Sequence, residues 1–362
     1  MNIQLIGTLV VAFVFGWIAQ SPPPVAPVLP RQNSLLLLHD GIPDPEFATK
    51  GDQLGAHRWL QVNQDEASYQ TGVIDAEVVL RDVGLRTSLR PPPWAMLDFE
   101  DPFFVNLSKP ANSPERIKSV QTMKEALAAA KRRYPGTKWS FYGLPNLPFW
   151  VNGKGWTILD AAQREAAVAA ALDSCRDVLS DADWISVSVY DYYDPTLVIP
   201  GRTDSISGTP QAAVANGIAW RKAQVAAARA IAGSRPVIPM ACPYWAPGGI
   251  APVCRVIAAE DFLARQVVPC VEAGADGIAI WANYGYRIDR VQSRDPESST
   301  VERNFGRADW QRAFTADFLA GTTPPDWSDL NIRLKLIREC SGVILDRLAR
   351  IRELPHTSHL PH

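Results

Sequence analysis

The order of apolar and helical stretches predicts an α/β fold: a (β/α) barrel of the TIM type, distorted, with seven or eight strands. Three observations carry this. Short apolar runs alternate with longer Ala-rich stretches at the spacing of βαβ units, which implies a parallel sheet. The runs are near-continuously apolar, so both sheet faces are covered. Polar and aromatic residues gather just after several runs, where a barrel of this kind opens its C-terminal mouth. A single barrel over residues 33–355 fits these features better than a doubly wound sheet.

The elements follow in order. Residues 5–19, LIGTLVVAFVFGWIA, are apolar or small throughout. A membrane span needs roughly 20 apolar residues, whereas the core of a secretory signal is this short. No Lys or Arg precedes the run, and no A-x-A site follows it. Residues 1–20 are therefore expected to be a signal peptide or an uncleaved N-terminal anchor, and the protein to be secreted or extracytoplasmic. Residues 21–32 form a proline-rich linker that includes SPPPVAPVLP. Residues 34–38 are the first strand, ending at His39-Asp40, and residues 50–90 have no clear reading. Residues 94–100 are the next strand, stopped by Pro102. A helix over 113–133 has Asn112 or Ser113 as cap and Pro114 in its first turn. Strand 138–142 and helix 157–179 follow, the helix with Asp160 near its start. A β-branched run then covers 184–190. Helix 210–231 can end at Gly233. Strand 236–241, helix 260–273 stopping at Gly274, and strand 277–281 come next. Helices over 308–319 and 332–352 close the chain.

Composition removes several classes of function. With 36 Lys and Arg against 38 Asp and Glu, the net charge of −2 argues against nucleic acid as a partner. No Cys/His spacing suits zinc, and the five histidines are scattered, so no metal site is expected. No glycine loop is placed to hold phosphate, and no cofactor is expected. A monomer is expected, with membrane contact only through the N-terminal segment. Five cysteines leave at least one unpaired within the chain. Cys242 and Cys254 flank one loop and could pair; alternatively all five are small buried apolar residues.

Asp98-Phe99-Glu100 is the most informative stretch. In a strand, residues i and i+2 share a face. Asp98 and Glu100 would then emerge together at the strand's C-terminal end, and paired carboxylates are the usual equipment for glycosidic cleavage. A second D-x-E, Asp75-Ala76-Glu77, continues into Val78-Val79-Leu80 and reads as a surface feature. Tyr142, Tyr190, Asp191, Tyr244, Trp245, Trp281 and Asn283 all follow strands. Aromatic faces suit sugar C–H groups, and carboxylates and amides suit hydroxyls. Barrel-top packing for the aromatics, and a turn or cap role for Asp191 and Asp194, are the structural alternatives.

Several segments together resemble the hyaluronidase-type glycoside hydrolases. Leu97-Asp98-Phe99-Glu100 resembles the family's I-D-W-E strand end. Residues 139–145, WSFYGLP, are similar to G-Y-Y-x-x-P, and residues 186–190, SVSVY, to P-S-V-Y-L. Ala226-Ala227-Ala228-Arg229 leading to Val237-Ile238-Pro239-Met240 resembles an E-A-x-R helix running into V-L-P-Y. Residues 273–283, AGADGIAIWAN, resemble L-G-A-D-G-x-I-I-W-G. The matches keep the family's order over residues 94–320. Phe99 departs from the tryptophan between the carboxylates, the second tryptophan is missing, and the animal enzymes' paired cysteines have no evident counterparts.

The resemblance implies a retaining, substrate-assisted hydrolysis of an N-acetylhexosamine-containing polysaccharide. Glu100 would be general acid and then base. Asp98 would hold the substrate's acetamide N–H and raise the pKa of Glu100 by like charge. Tyr190 would position the acetamide, Tyr142 would contact the sugar near the reacting centre, and Trp281 would line the N-acetyl pocket. Asn283 and Asp191 complete the expected substrate-binding set. Arg287, with Arg290 and Arg294, could meet uronate carboxylates or else lie in a solvated loop. A chitinase-like hydrolase of a neutral glycan and a non-catalytic cell-surface glycan-binding barrel are the competing readings.

Overall fold

The computed structural model describes residues 35–40, 45–87, 91–151, 154–191, 210–244, 256–281 and 330–354. The N-terminal segment and its linker, Asn283, Arg287, Cys254, Trp245 and the expected helix over 308–319 lie outside the described residues.

Six parallel strands share one sheet: β1 (Leu36–His39), β2 (Ala56–Asn63), β3 (Trp94–Asp98), β4 (Lys138–Phe141), β5 (Met240–Ala241) and β6 (Gly277–Ile280). Their spatial order is β4-β3-β2-β1-β6-β5. Residues 185–190 form a seventh member. Ile185 and Ser188 make parallel bridges to Val237 and Met240 beside β5. On the other side, the Asp183 N–H donates to the Trp139 carbonyl at 2.8 Å, and the Ser140 hydroxyl donates to the Trp184 carbonyl at 2.7 Å. Seven parallel members therefore close a ring in chain order, and the chain is an α/β barrel with one irregular side.

The irregularity has a local cause. The run expected over 236–241 contains Pro236 and Pro239, which have no N–H to donate. Only Met240–Ala241 is regular strand there, and the 185–190 segment is joined to it by alternate bonds.

Local signals explain the helices. α1 (Pro45–Gln53) runs into residues 50–90, which have no clear reading from sequence, and α2 (Glu66–Thr71) and α3 (Ala76–Thr87) lie within them. The Asp65 side chain caps α2 by accepting from the Ser68 N–H at 2.9 Å, and Gly72, at φ 61°, ends it. After α4 (Phe103–Leu107), α5 (Pro114–Arg133) starts on Ser113, whose hydroxyl accepts from the Arg116 N–H. α5 buries Ser119, Met123, Ala126, Leu127 and Ala130, the i, i+3, i+4 stripe of a helix laid on a sheet. α6 (Ala161–Leu179) opens with a capping box in which Asp160 and Gln163 satisfy each other's backbone N–H. α7 (Pro210–Ala232) precedes Gly233, which takes φ 60°. The expected helix over 260–273 is divided into α8 (Ala259–Phe262), a π turn (Leu263–Val267) and α9 (Val268–Glu272). Pro269 cannot donate to the preceding turn, and the wider turn absorbs that missing bond. α10 (Leu330–Glu353) closes the described chain.

Two of the segments quoted above meet at the end of the barrel opposite the strands' C-termini. Arg229 on α7 pairs with Asp276 and donates to the Gly274 carbonyl at 2.9 Å. Asp276 also accepts from the Val237 N–H at 2.8 Å. These residues tie α7, β6 and the start of the 237–241 segment together, a structural role. Gly277 pairs with Leu36 in the β1–β6 register. A methyl group added there would lie 2.2 Å from the Leu36 carbonyl oxygen. Gly277→Ala is therefore expected to destabilise the fold by about 1–3 kcal/mol through overpacking, measured as a lowered midpoint in thermal or urea unfolding.

Among the described residues no helix is long and apolar enough to cross a membrane. Cys175 and Cys270 are buried, and burial pushes both thiols up to about 12. They behave as the small apolar residues of the alternative reading.

Candidate active site

The registers bring the expected residues to one face. β2 and β3 pair Gln61 with Met96 and Asn63 with Asp98, and β3 and β4 pair Leu97 with Phe141. Tyr142, one step on, is therefore in phase with Asp98. Ser188 pairs with Met240, and Met240 with Ala279. Two steps further, Tyr190 and Trp281 are in phase with each other. Because side chains alternate along a strand, all four lie at the C-terminal mouth of the ring. Tyr190 is flanked by two rings. Tyr142 lies 6.3 Å from it, centroid to centroid, and Trp281 lies 5.2 Å from it with an interplanar angle of 17°. Tyr142 and Tyr190 are buried and Trp281 is half-buried. Tyr190 is thus packed between two rings, and the three aromatics form a row at the mouth.

β3 ends at Asp98, and Glu100 stands in the turn beyond it. The two carboxylates are neighbours, but they are not consecutive same-face positions of one strand. Phe99 between them is buried, 6.1 Å from both Phe103 and Phe141. That apolar anchor holds the strand end down while the chain turns. Asp98 accepts from the Gln61 side-chain N–H at 2.6 Å through Oδ2. Its Oδ1 is buried and has no hydrogen-bond partner among the described residues. Glu100 is exposed.

The electrostatics differ from the expectation in one respect. Burial is the largest cause for both groups, not the charge of the neighbour. Asp98 is pushed up to about 8, first by burial and then by Glu100, against the Gln61 hydrogen bond, which lowers it. Glu100 is raised by burial and then by Asp101. It is open to solvent on one side, yet protein walls the rest of its surroundings. The pair titrates as a unit. Asp98 is the more enclosed of the two groups.

Asp191 is engaged by the protein. The Arg221 guanidinium pairs with its Oδ1, and the Gln266 side-chain N–H donates to its Oδ2 at 3.2 Å. Arg221 also donates to the Val189 carbonyl at 2.8 Å and the Tyr190 carbonyl at 3.1 Å. This buried set fixes the backbone on which Tyr190 is mounted, so Asp191 stands behind the mouth rather than open within it. Glu77 is exposed on α3, and the Asp75 side chain accepts the Glu77 N–H at 2.9 Å. That D-x-E pair belongs to a helix start on the surface.

Gln61 and Gln64 were missed in the sequence. Both come from the 50–90 region. The run RWLQVN alternates, with Leu60 and Val62 facing the helices and Trp59, Gln61 and Asn63 on the other face. Read with a period of two it is a strand, but its polar inward positions disguise it.

No family model matches the sequence, and no curated protein matches it. Among solved structures the chain is similar to bee venom hyaluronidase in a monoclinic crystal form. There the TM-score is 0.39 at 16% identity, over 57% of this chain and 68% of that one. It is also similar to bee venom hyaluronidase in complex with a hyaluronic acid tetramer. That match has a TM-score of 0.44 at 15% identity, over 68% and 90% of the two chains. A third is the exo-β-1,4-mannosidase Op5Man5 from Opitutaceae bacterium strain TAV5, with a TM-score of 0.35 at 12% identity, over 80% and 60%. Identity this low carries no residue's role from one chain to another. The site defined on this chain's own geometry is a barrel mouth with a half-buried aspartate, an exposed glutamate and a row of three aromatic rings.

Proposed function

We propose that the protein is a retaining endo-glycosidase that cleaves an N-acetylhexosamine-containing polysaccharide with the help of the substrate's own acetamide group. One observation carries the reading most directly. Asp98 offers a buried carboxylate oxygen without a partner among the described residues, two residues from an exposed Glu100 at a barrel mouth. A sugar acetamide N–H is the kind of donor that oxygen can take.

The chemistry follows from the division between the two groups. Glu100, reachable from solvent and raised above the usual carboxylate range, is the proton donor to the leaving oxygen. The acetamide carbonyl oxygen attacks the anomeric carbon as the bond to the leaving oxygen breaks, and Glu100's proton goes to that oxygen. The ionised Glu100 then takes a proton from water as water opens the oxazolinium. In the free protein, burial of Asp98 favours its protonated form. Bringing an N–H against it favours its ionised form. An ionised Asp98 in turn holds the proton on Glu100 and faces the positive charge of the oxazolinium. Substrate binding thus sets the protonation state that the first step needs. Tyr190 and Tyr142 line the mouth beside the pair, and Trp281 offers an apolar wall for the acetamide methyl group.

The test is release of reducing ends from hyaluronan, chondroitin, chitin and peptidoglycan, with the first anomer released read by NMR before mutarotation. We expect turnover on at least one N-acetylhexosamine polymer, with retention. Initial release of the inverted anomer would reject the acetamide mechanism. That outcome would demand a separate base with water between it and the acid, at carboxyl separations of roughly 6.5–9.5 Å. No release from any of the four would leave the mouth as a binding site and sink the enzymatic reading.

A further inference from the structure

A single residue holds the turn that carries Glu100. Gln64 follows the last residue of β2 and is buried. Its backbone N–H donates to the Asp98 carbonyl at 3.1 Å. Its side-chain oxygen accepts the Glu100 backbone N–H at 2.7 Å, and its side-chain nitrogen donates to the Asp101 carbonyl at 2.7 Å. Three bonds from one residue thus span the stretch from Asp98 to Asp101. On the far side the Phe104 N–H donates to the Glu100 carbonyl at 3.0 Å, tying the same turn to the start of α4.

This matters because Glu100 is exposed and lies past the end of the strand. Regular sheet bonding does not set its place; the turn does. A general acid must come within about 2.6–3.2 Å of the atom it protonates. An error of about 1 Å in placement can cost on the order of 10²-fold in rate. A neutral amide has the one acceptor and the donor that this turn requires, and it adds no charge beside Asp98, Glu100 and Asp101.

We propose that Gln64 is a positioning residue for Glu100, holding the 98–101 turn so that the Glu100 carboxyl points into the barrel mouth. This deepens the reading of Glu100 as general acid and rests on it.

The experiment compares Gln64→Met and Gln64→Glu with the wild type and Glu100→Gln, all in the full chain. Methionine fills the volume but makes neither side-chain bond. Its kcat is expected to fall at least tenfold at every pH, with KM within about threefold of wild type. A protonated glutamic acid can accept the Glu100 N–H and donate to the Asp101 carbonyl, as the amide does. Gln64→Glu is therefore expected within about threefold of wild-type kcat near pH 4–5. It should fall away as pH rises and its carboxyl ionises, so the alkaline limb of its profile moves down. A merely structural Gln64 would lower the melting temperature of both variants and give no pH-dependent rescue, and that result overturns the proposal.

Hydrogen exchange at the Glu100 backbone N–H, followed by NMR, separates this proposal from the reading beneath it. We expect exchange at least tenfold faster in Gln64→Met, recovering in Gln64→Glu at acid pH. If Glu100→Gln proves as active as wild type, or the wild type is inactive on every polymer, the general-acid reading fails and exchange alone judges Gln64. Unchanged exchange in Gln64→Met overturns the proposal whatever the activities are.

Discussion

Replacing Glu100 by Gln is expected to remove nearly all turnover, on the order of 10²- to 10⁴-fold, while leaving the fold unchanged. The factor is what general acid–base catalysis typically contributes. The amide is isosteric with the carboxyl but has no acidic proton to give to a leaving oxygen. The fold should be indifferent because the side chain is exposed and its backbone N–H still meets Gln64. Steady-state kinetics on the best polymer, beside a thermal melt, check both halves. A variant keeping more than about a tenth of wild-type kcat would show that Glu100 is not the donor. Glu77→Gln, on the exposed start of α3, is the matched control and should change little.

Asp98→Asn is expected to lower kcat by roughly 10² to 10³, the range seen when one preorganised group facing developing charge is lost. The amide can still accept from Gln61, but it carries no charge to face an oxazolinium. Its effect on stability depends on pH. The folded value for Asp98, about 8, lies above its ordinary value of 3.8. Between those values the folded state holds a proton that the unfolded chain has released. Wild-type stability from this group is therefore complete below about pH 4 and is lost as pH rises through about 8. The asparagine variant lacks the group and escapes the loss. Its melting temperature relative to wild type should rise steadily from pH 4 to pH 8. Melts at pH 4, 6 and 8 decide it. A difference that is flat or falls with pH would mean that the burial of Asp98 does not govern its proton.

Legibility from sequence followed the physical origin of each feature. The helices over 113–133, 157–179 and 210–231 were recognisable because their caps and stops are local. Ser113 and Asp160 serve backbone N–H groups within three residues, and Gly233 reaches positive φ without a side-chain clash. β1, β3, β4 and β6 were recognisable because a strand covered on both faces must be apolar nearly throughout. β2 was not, because it faces the barrel's polar upper layer. Gln61 there breaks the apolar run in order to meet Asp98, a partner 37 residues away.

The sequence by itself determined that this is an α/β chain of parallel strands, and that two carboxylates stand at the end of the strand ending in Asp98. Both are questions of short-range pattern, settled by which residues can be buried on two faces and which cannot. Only the tertiary structure decided how those carboxylates are surrounded. The closing of the ring by residues 185–190 brings Tyr190 between Tyr142 and Trp281. Packing around β3 makes Asp98, not Glu100, the more enclosed carboxyl. Arg221 and Gln266 take up Asp191, which the sequence left between a substrate contact and a turn or cap role. Burial and hydrogen bonding between distant segments are sums over the whole fold, so no window of sequence contains them.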